Sequence, residues 1–87
     1  MSFIAHKRDA LDATMALNHR MSHLRSCAML MGQKYRVPRS TIIERVLQLC
    51  GVDITIPANE AEIQRAVQAL VQIKESGLDD PAAPPAG

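Results

Sequence analysis

An apolar repeat over the first third of the chain constrains the fold more than any other feature. Between residues 3 and 31, side chains that can be buried recur at alternating steps of three and four, the spacing of a helix that packs against another helix. No Pro or Gly interrupts residues 1–31, so helix propensity agrees with the pattern, and we expect one helix that ends at Gly32. The series is Phe3, Ala10, Thr14, Leu17, Met21, Leu24, Ala28 and Met31, broken only by Lys7.

A second apolar group, Ile4, Leu11, Met15 and Met29, widens the apolar arc of this helix, so more than one neighbour must cover it. A helix of about 30 residues would be roughly 45 Å long, whereas a compact domain of this size is about 30 Å across. Part of the apolar face would then extend beyond its own domain, which predicts a homodimer. A break in the helix near Asn18 would remove this reason to expect a dimer.

The remainder of the chain predicts two shorter helices. Thr41 and Glu44 have the spacing of a capping box, so the second helix should begin at Thr41 and end at Gly51. Asn59 and Glu62 repeat that arrangement, and the third helix should run from there to a glycine cap at Gly77.

Two segments read as a minor β element. Residues 34–37 alternate polar and apolar before Pro38, and residues 52–56 alternate more cleanly and are rich in β-branched side chains. Each could pair with the other or with a second protomer; otherwise residues 52–56 form an extended loop that places Ile54 and Ile56 in the core. The predicted fold is therefore mainly α, with a long N-terminal amphipathic helix, two shorter helices and a minor strand, assembled as a dimer.

Length and composition allow one domain, residues 1–78 of the 87, followed by a Pro/Ala-rich tail, residues 79–87, that we expect to be disordered. Charged residues interrupt the N-terminus before a signal peptide could form, and no run is long enough to cross a membrane. We therefore expect a cytoplasmic protein without membrane association. In that compartment Cys27 and Cys50 should remain thiols.

Charge is distributed unevenly along the chain. Residues 1–45 hold eight Lys or Arg and three Asp or Glu, whereas the remainder holds two and six. This asymmetry favours a basic surface that faces a polyanion such as double-stranded DNA, although charges scattered for solubility would give the same count. The candidate nucleic-acid-binding residues are Lys34, Arg36, Arg39, Arg20 and Arg25.

A short basic segment followed by two capped helices resembles the ribbon-helix-helix repressors over about half the chain. The resemblance rests on residues 34–38 and on the helix beginning at residues 59–63. It implies that paired strands of a dimer place Gln33, Lys34 and Arg36 at base edges, with Arg39 and Ser40 on phosphates. The segment between the helices, residues 51–58, is longer than the turn of that family.

Metal binding and catalysis have little support in the sequence. His19, His23 and Cys27 follow one another at steps of four and are weak metal candidates, since two His at this spacing can chelate one ion. A structural zinc site requires four ligands, and the more ordinary interpretation is exposed His and a packed thiol. No nucleophile elbow, phosphate loop or HExxH sequence is present, so we predict neither an enzyme nor a cofactor.

The alternative function is a helical protein-interaction module, such as an adaptor, complex subunit or inhibitor. Met15, Met21, Met29 and Met31 lie on the first predicted helix, and flexible thioether side chains adapt to partner grooves. The competing interpretation is that they fill the core. Binding through several Lys and Arg should weaken steeply with salt, whereas binding through a Met-rich groove should not.

Overall fold

A computed structural model describes residues 2–77 of the chain, and these residues form four α-helices without a β-strand. The helices are α1 (Phe3–Ala10), α2 (Leu17–Tyr35), α3 (Arg39–Cys50) and α4 (Glu60–Ser76). Helix α2 is central, because it packs against each of the other three. The mainly α prediction is confirmed, whereas the predicted tail, residues 79–87, lies outside the described residues.

The single long N-terminal helix is wrong, because the chain breaks between Ala10 and Leu17. Asp12 causes the break: its Oδ1 accepts hydrogen bonds from the Thr14 amide at 2.9 Å and the Thr14 hydroxyl at 2.6 Å. A short acidic side chain that binds the backbone two residues later competes with the helix. The break removes the 45 Å rod, and with it the reason to expect a dimer from overhang.

The apolar repeat nevertheless identifies much of the core. Every hydrophobic member of the series is buried except Leu17, which with Thr14 lies at the break. The second apolar group does not need further neighbours: Ile4, Leu11 and Met29 are exposed and Met15 is half-buried. The core is completed by side chains of α3, α4 and the segment between them.

The connection from α2 to α3 differs from the prediction at three points. Helix α2 continues through Gly32 and ends at Arg36, which is in the left-handed conformation (φ 58°, ψ 44°). Residues 34–37 therefore do not form a strand. Helix α3 begins at Arg39, with Pro38 at its N-cap and no side-chain cap, so the Thr41 capping box is also wrong.

The second predicted strand, residues 52–56, is a turn built like the one after α1. Asp53 Oδ1 accepts hydrogen bonds from the Thr55 amide at 2.9 Å and the Thr55 hydroxyl at 2.6 Å. Val52 and Ile54 are buried, as the alternation implies, but Ile56 is 57% exposed. The loop alternative is thus right for Ile54 and wrong for Ile56.

The caps of α4 follow the prediction. Asn59 and Glu62 form a capping box, with both reciprocal hydrogen bonds present at 3.0 and 2.8 Å. At the other end, the Gly77 amide donates to the Ile73 carbonyl at 2.8 Å. The glycine cap predicted for α3 is also confirmed, since Gly51 has φ 74°.

Candidate nucleic-acid interface

Three of the five candidate cations lie at the corner between α2 and α3. Lys34 is in the last turn of α2, Arg36 ends that helix, and Arg39 begins α3; all three side chains are exposed. No acidic residue occurs in the sequence between Asp12 and Glu44. This corner, defined by Lys34, Arg36 and Arg39, is therefore a cationic surface without a local counter-charge in the sequence.

Arg36 is the one non-glycine residue with positive φ in the described part of the chain. The left-handed conformation costs an L-residue roughly 1–2 kcal/mol, and glycine commonly occupies this position at the end of a helix. The chain instead keeps a long cation there. Backbone strain retained at an exposed charged residue is a reason to look for function at that residue.

The first turn of α3 is suited to an anion. Its N-cap, Pro38, has no side chain that can accept a hydrogen bond, and no side-chain cap is present. The helix dipole carries about half a positive charge at this end, and backbone amides of a first turn bind phosphate readily. Ser40 is exposed in that turn and adds a hydroxyl donor.

The exposed face of α3 presents hydrogen-bonding side chains at steps of four, namely Ser40, Glu44 and Gln48. Beneath it lies Arg45, whose Nη1 donates to Gln48 Oε1 at 3.3 Å, while its Nε and Nη2 are buried without a partner. Neither charge nor spacing in the sequence distinguishes this arginine from the others. Because its two unpaired nitrogens are buried, they are not accessible from the exposed face of α3.

Arg20 is not available to a nucleic acid. Its side chain is 3% exposed, its Nε donates to the Ala10 carbonyl at 2.8 Å, and its Nη1 donates to Glu60 Oε1 at 3.0 Å. A second bond joins Nη2 to Glu60 Oε2. Arg20 thus closes the end of α1 and fixes the start of α4, and its hydrogen bond lowers the pKa of the Glu60 carboxyl.

Arg25 is half-buried, and its Nη1 lies 3.4 Å from the Ile54 carbonyl oxygen. It borders an open apolar cleft of about 420 Å³ between α2 and the turn before α4. Leu17, 49% exposed, and Ile56 also line this cleft. The side chain of Arg25 is therefore directed to the turn and the cleft, separate from the corner.

The weak metal candidates are not brought together. His19 is exposed, and the buried Cys27 thiol lies 4.0 Å from the Phe3 carbonyl oxygen. His23 instead meets His6 of α1, with 2.9 Å between the two Nδ1 atoms, and burial together with His23 lowers the pKa of His6. Among the described residues, no group of three potential ligands is placed to hold a metal ion.

The methionines of the alternative function are divided between core and surface. Met21 and Met31 are buried in the core, Met15 is half-buried, and Met29 is exposed. Two of the four therefore act as core filler, which leaves the apolar cleft beside Leu17 and Ile56 as the more concrete surface for a protein partner.

No protein family, curated protein or solved structure matched this chain. Within residues 2–77, no helix is long and apolar enough to cross a membrane.

Proposed function

We propose that this chain is a small, non-enzymatic regulatory protein that binds double-stranded DNA through the corner between α2 and α3. The left-handed Arg36 carries the proposal. Glycine would relieve the backbone strain at this exposed position, whereas arginine supplies a cation between Lys34 and Arg39. An exposed guanidinium beside two further exposed cations suits the phosphate backbone of a duplex.

Phosphate contacts would come from the three cations and from the first turn of α3. A helix–turn–helix pair has a connection of three to four residues, and residues 36–38 separate α2 from α3. With the second helix of the pair in the major groove, Ser40, Glu44 and Gln48 would face base edges. This arrangement replaces the strand-based readout of the ribbon-helix-helix resemblance, which requires a strand at residues 34–37.

A homodimer remains part of the proposal. Chains of this size bury only about 60% of their unfolded surface, less than larger domains do, which favours association. A two-fold dimer would place two copies of the corner on half-sites about one helical turn apart. The mass in solution, measured by light scattering with and without duplex, tests this element directly.

Duplex binding is tested by fluorescence anisotropy with a labelled DNA duplex between 50 and 200 mM salt (roughly the range over which phosphate contacts dominate the response). We expect Arg36→Gln and Arg39→Gln each to weaken binding several-fold and to lower the slope of log K against log salt by about 0.9 per lost phosphate contact. The matched control is Arg65→Gln, which removes an exposed arginine of α4. Equal losses for all three variants would attribute binding to net charge and refute the corner.

The alternative is docking of a protein partner, and the apolar cleft lined by Leu17, Met21 and Ile56 favours it. Such binding should change little with salt, because it depends on apolar burial. Leu17→Ser should then abolish partner binding while Arg36→Gln leaves it intact. If the chain binds DNA as proposed, Leu17→Ser should leave duplex binding intact and Arg36→Gln should weaken it.

A further inference from the structure

All three lysines of the chain line one cleft. Lys7 comes from α1, Lys34 from α2 and Lys74 from α4, and the sequence contains no other lysine. The cleft has a volume of about 270 Å³. Its position, at the meeting of three helices, brings together residues far apart in the sequence, so no local pattern predicts it.

The three-lysine cleft also has an apolar lining, formed by Phe3, Ile4 and Val71. Ile4 is 65% exposed, whereas Phe3 is 8% exposed. The Lys74 ammonium lies 4.7 Å from the centre of the Phe3 ring, within the range of a cation–π contact. The cleft therefore combines apolar and cationic side chains.

Helix packing holds two of the lysines together. The Tyr35 hydroxyl lies 3.0 Å from the Ile73 carbonyl oxygen and 3.2 Å from that of Lys74. A single hydroxyl hydrogen can be shared between these two acceptors, so Tyr35 joins the end of α2 to the last turn of α4. Lys34 and Lys74 are consequently carried on backbone segments with a fixed separation.

The positive charge of the cleft is only partly offset. The ion pairs among residues 2–77 are Arg8–Asp9, Arg20–Glu60 and His23–Asp9, and none includes a lysine. Glu75 is the one carboxylate that lines the cleft. Each lysine also lies in the last turn of its helix, where it complements the dipole. Complementing the dipole accounts for a lysine at the end of each helix. It does not account for the position of all three lysines around one cleft with an apolar lining.

We propose that the three-lysine cleft binds a small organic phosphate, a phosphate monoester whose apolar group lies on Phe3, Ile4 and Val71. Three ammonium groups opposed by the one Glu75 carboxylate leave a net charge of about +2 at the cleft, which a phosphate monoester, with a charge of about −1.5 to −2 at pH 7, balances more fully than a carboxylate does. The cleft volume of about 270 Å³ lies near the lower end of the range for small-molecule sites, about 300–1,000 Å³, which fits a compact ester rather than a polymer. The site shares only Lys34 with the DNA-binding corner and does not depend on that function.

The lysine content gives a direct test. The full 87-residue chain is prepared with ¹³Cε-labelled lysine, so that three side-chain signals report on the cleft. Phenyl phosphate is titrated in phosphate-free buffer, alongside inorganic phosphate and phenol. We expect saturable shifts of all three signals with phenyl phosphate and at least five-fold weaker binding of either separate half. Equal binding of inorganic phosphate, equal binding of phenol, or no shift with phenyl phosphate would overturn the proposal.

Substitutions distinguish this site from the corner. Lys7→Gln and Lys74→Gln should each weaken phenyl phosphate binding about two- to five-fold, the range of a single exposed ion pair, and Lys74→Arg should restore most of it. Glu75→Gln should strengthen binding, because it removes the opposing carboxylate. Arg65→Gln, the matched control, should have no effect, and a loss equal to that of Lys74→Gln would overturn the site.

The two proposals fail separately. Arg36→Gln should leave phenyl phosphate binding unchanged, since Arg36 does not line the cleft, while Lys7→Gln should leave duplex affinity unchanged. If the unaltered chain binds phenyl phosphate but not duplex, the corner is refuted. If it binds duplex but not phenyl phosphate, the cleft is refuted.

Discussion

Replacement of Gly32 by alanine tests how α2 and α3 are held at the corner. Gly32 is buried within α2, and a Cβ added there would lie 2.8 Å from the Val37 carbonyl oxygen and 3.4 Å from the Arg39 amide nitrogen. The glycine is thus required by close approach of the chain after the helix, because its own φ is not in the left-handed region. Gly32 therefore lies inside α2 and does not end it, contrary to the prediction from sequence.

Two opposing free-energy terms decide whether Gly32→Ala stabilises or destabilises the fold. Alanine is favoured over glycine inside a helix by about 1 kcal/mol, whereas overpacking against a rigid neighbour costs about 1–3 kcal/mol. The neighbour here is backbone, and it is held in place: the Val37 amide donates to the Gly32 carbonyl at 2.9 Å, and the Arg36 amide donates to the same oxygen. The Val37 carbonyl cannot move without disturbing these bonds. We therefore expect the cost of overpacking to exceed the gain in helix propensity.

The expected result for Gly32→Ala is a net loss of about 1 kcal/mol, which corresponds to a decrease in Tm of about 4–8 °C for a domain of this size. Thermal and urea unfolding followed by circular dichroism measure it. Gln33→Ala is the matched control, because Gln33 is the exposed neighbour in the same turn and should change Tm little. If Gly32→Ala were as stable as the unaltered chain or more so, the close approach would not be a constraint and the reasoning would fail.

Three further predictions concern single side chains. Arg36→Gly should stabilise the fold by about 0.5–1 kcal/mol, since it relieves a left-handed strain of roughly 1–2 kcal/mol but adds chain entropy, and it should also weaken duplex binding; urea unfolding and anisotropy check the two effects. The lowered pKa of Glu60 implies stability that is present above its ordinary pKa and lost as the pH falls through the lowered value, so the difference in unfolding free energy between the unaltered chain and Glu60→Gln should shrink on acidification. Burial raises the pKa of Cys27 to about 12, so a thiol reagent at pH 8 should modify the half-buried Cys50 first and Cys27 only on unfolding, as peptide mapping would show; rapid modification of native Cys27 would contradict its burial.

The helices were predictable where the deciding contacts are local. Asn59 and Glu62 are three residues apart, and the capping box they form needs no tertiary contact. The same holds for the glycine that ends α3, because a left-handed residue after a helix is a local requirement. The C-terminal end of α3 and both ends of α4 therefore followed from sequence.

Two of the wrong elements share one local motif that the periodicity concealed. Asp12 and Thr14 break the predicted long helix, and Asp53 and Thr55 turn the predicted strand, with the same pair of hydrogen bonds at the same distances. In each case an Asp-x-Thr sequence lies inside an apolar pattern. Apolar spacing reports which side chains are buried, but a hydrogen bond of the Asp side chain to the amide two residues later decides the backbone course.

The fate of each cation could not be predicted, because it depends on residues distant in the sequence. Arg20 and Arg36 look alike in a charge count, yet Glu60, 40 residues away from Arg20, neutralises it in a partly buried bidentate pair. Arg36 has no such partner among the ion pairs of residues 2–77. Exposure and strain, not the number of positive charges, single out Arg36.

The lysines extend the same argument. Lys7 and Lys74 lie 27 and 40 residues from Lys34 in the sequence, and the fold places all three in one cleft with an apolar lining. A chain that needed lysine only for solubility or for helix ends would have no reason to gather every lysine at one junction of helices while none of its seven arginines lines that cleft. Exchange of lysine for arginine preserves charge and helix-end complementarity, and arginine also binds phosphate. A triple exchange at residues 7, 34 and 74 should therefore leave stability nearly unchanged and keep the preference for phenyl phosphate over benzoate, and a reversed preference would contradict the charge match.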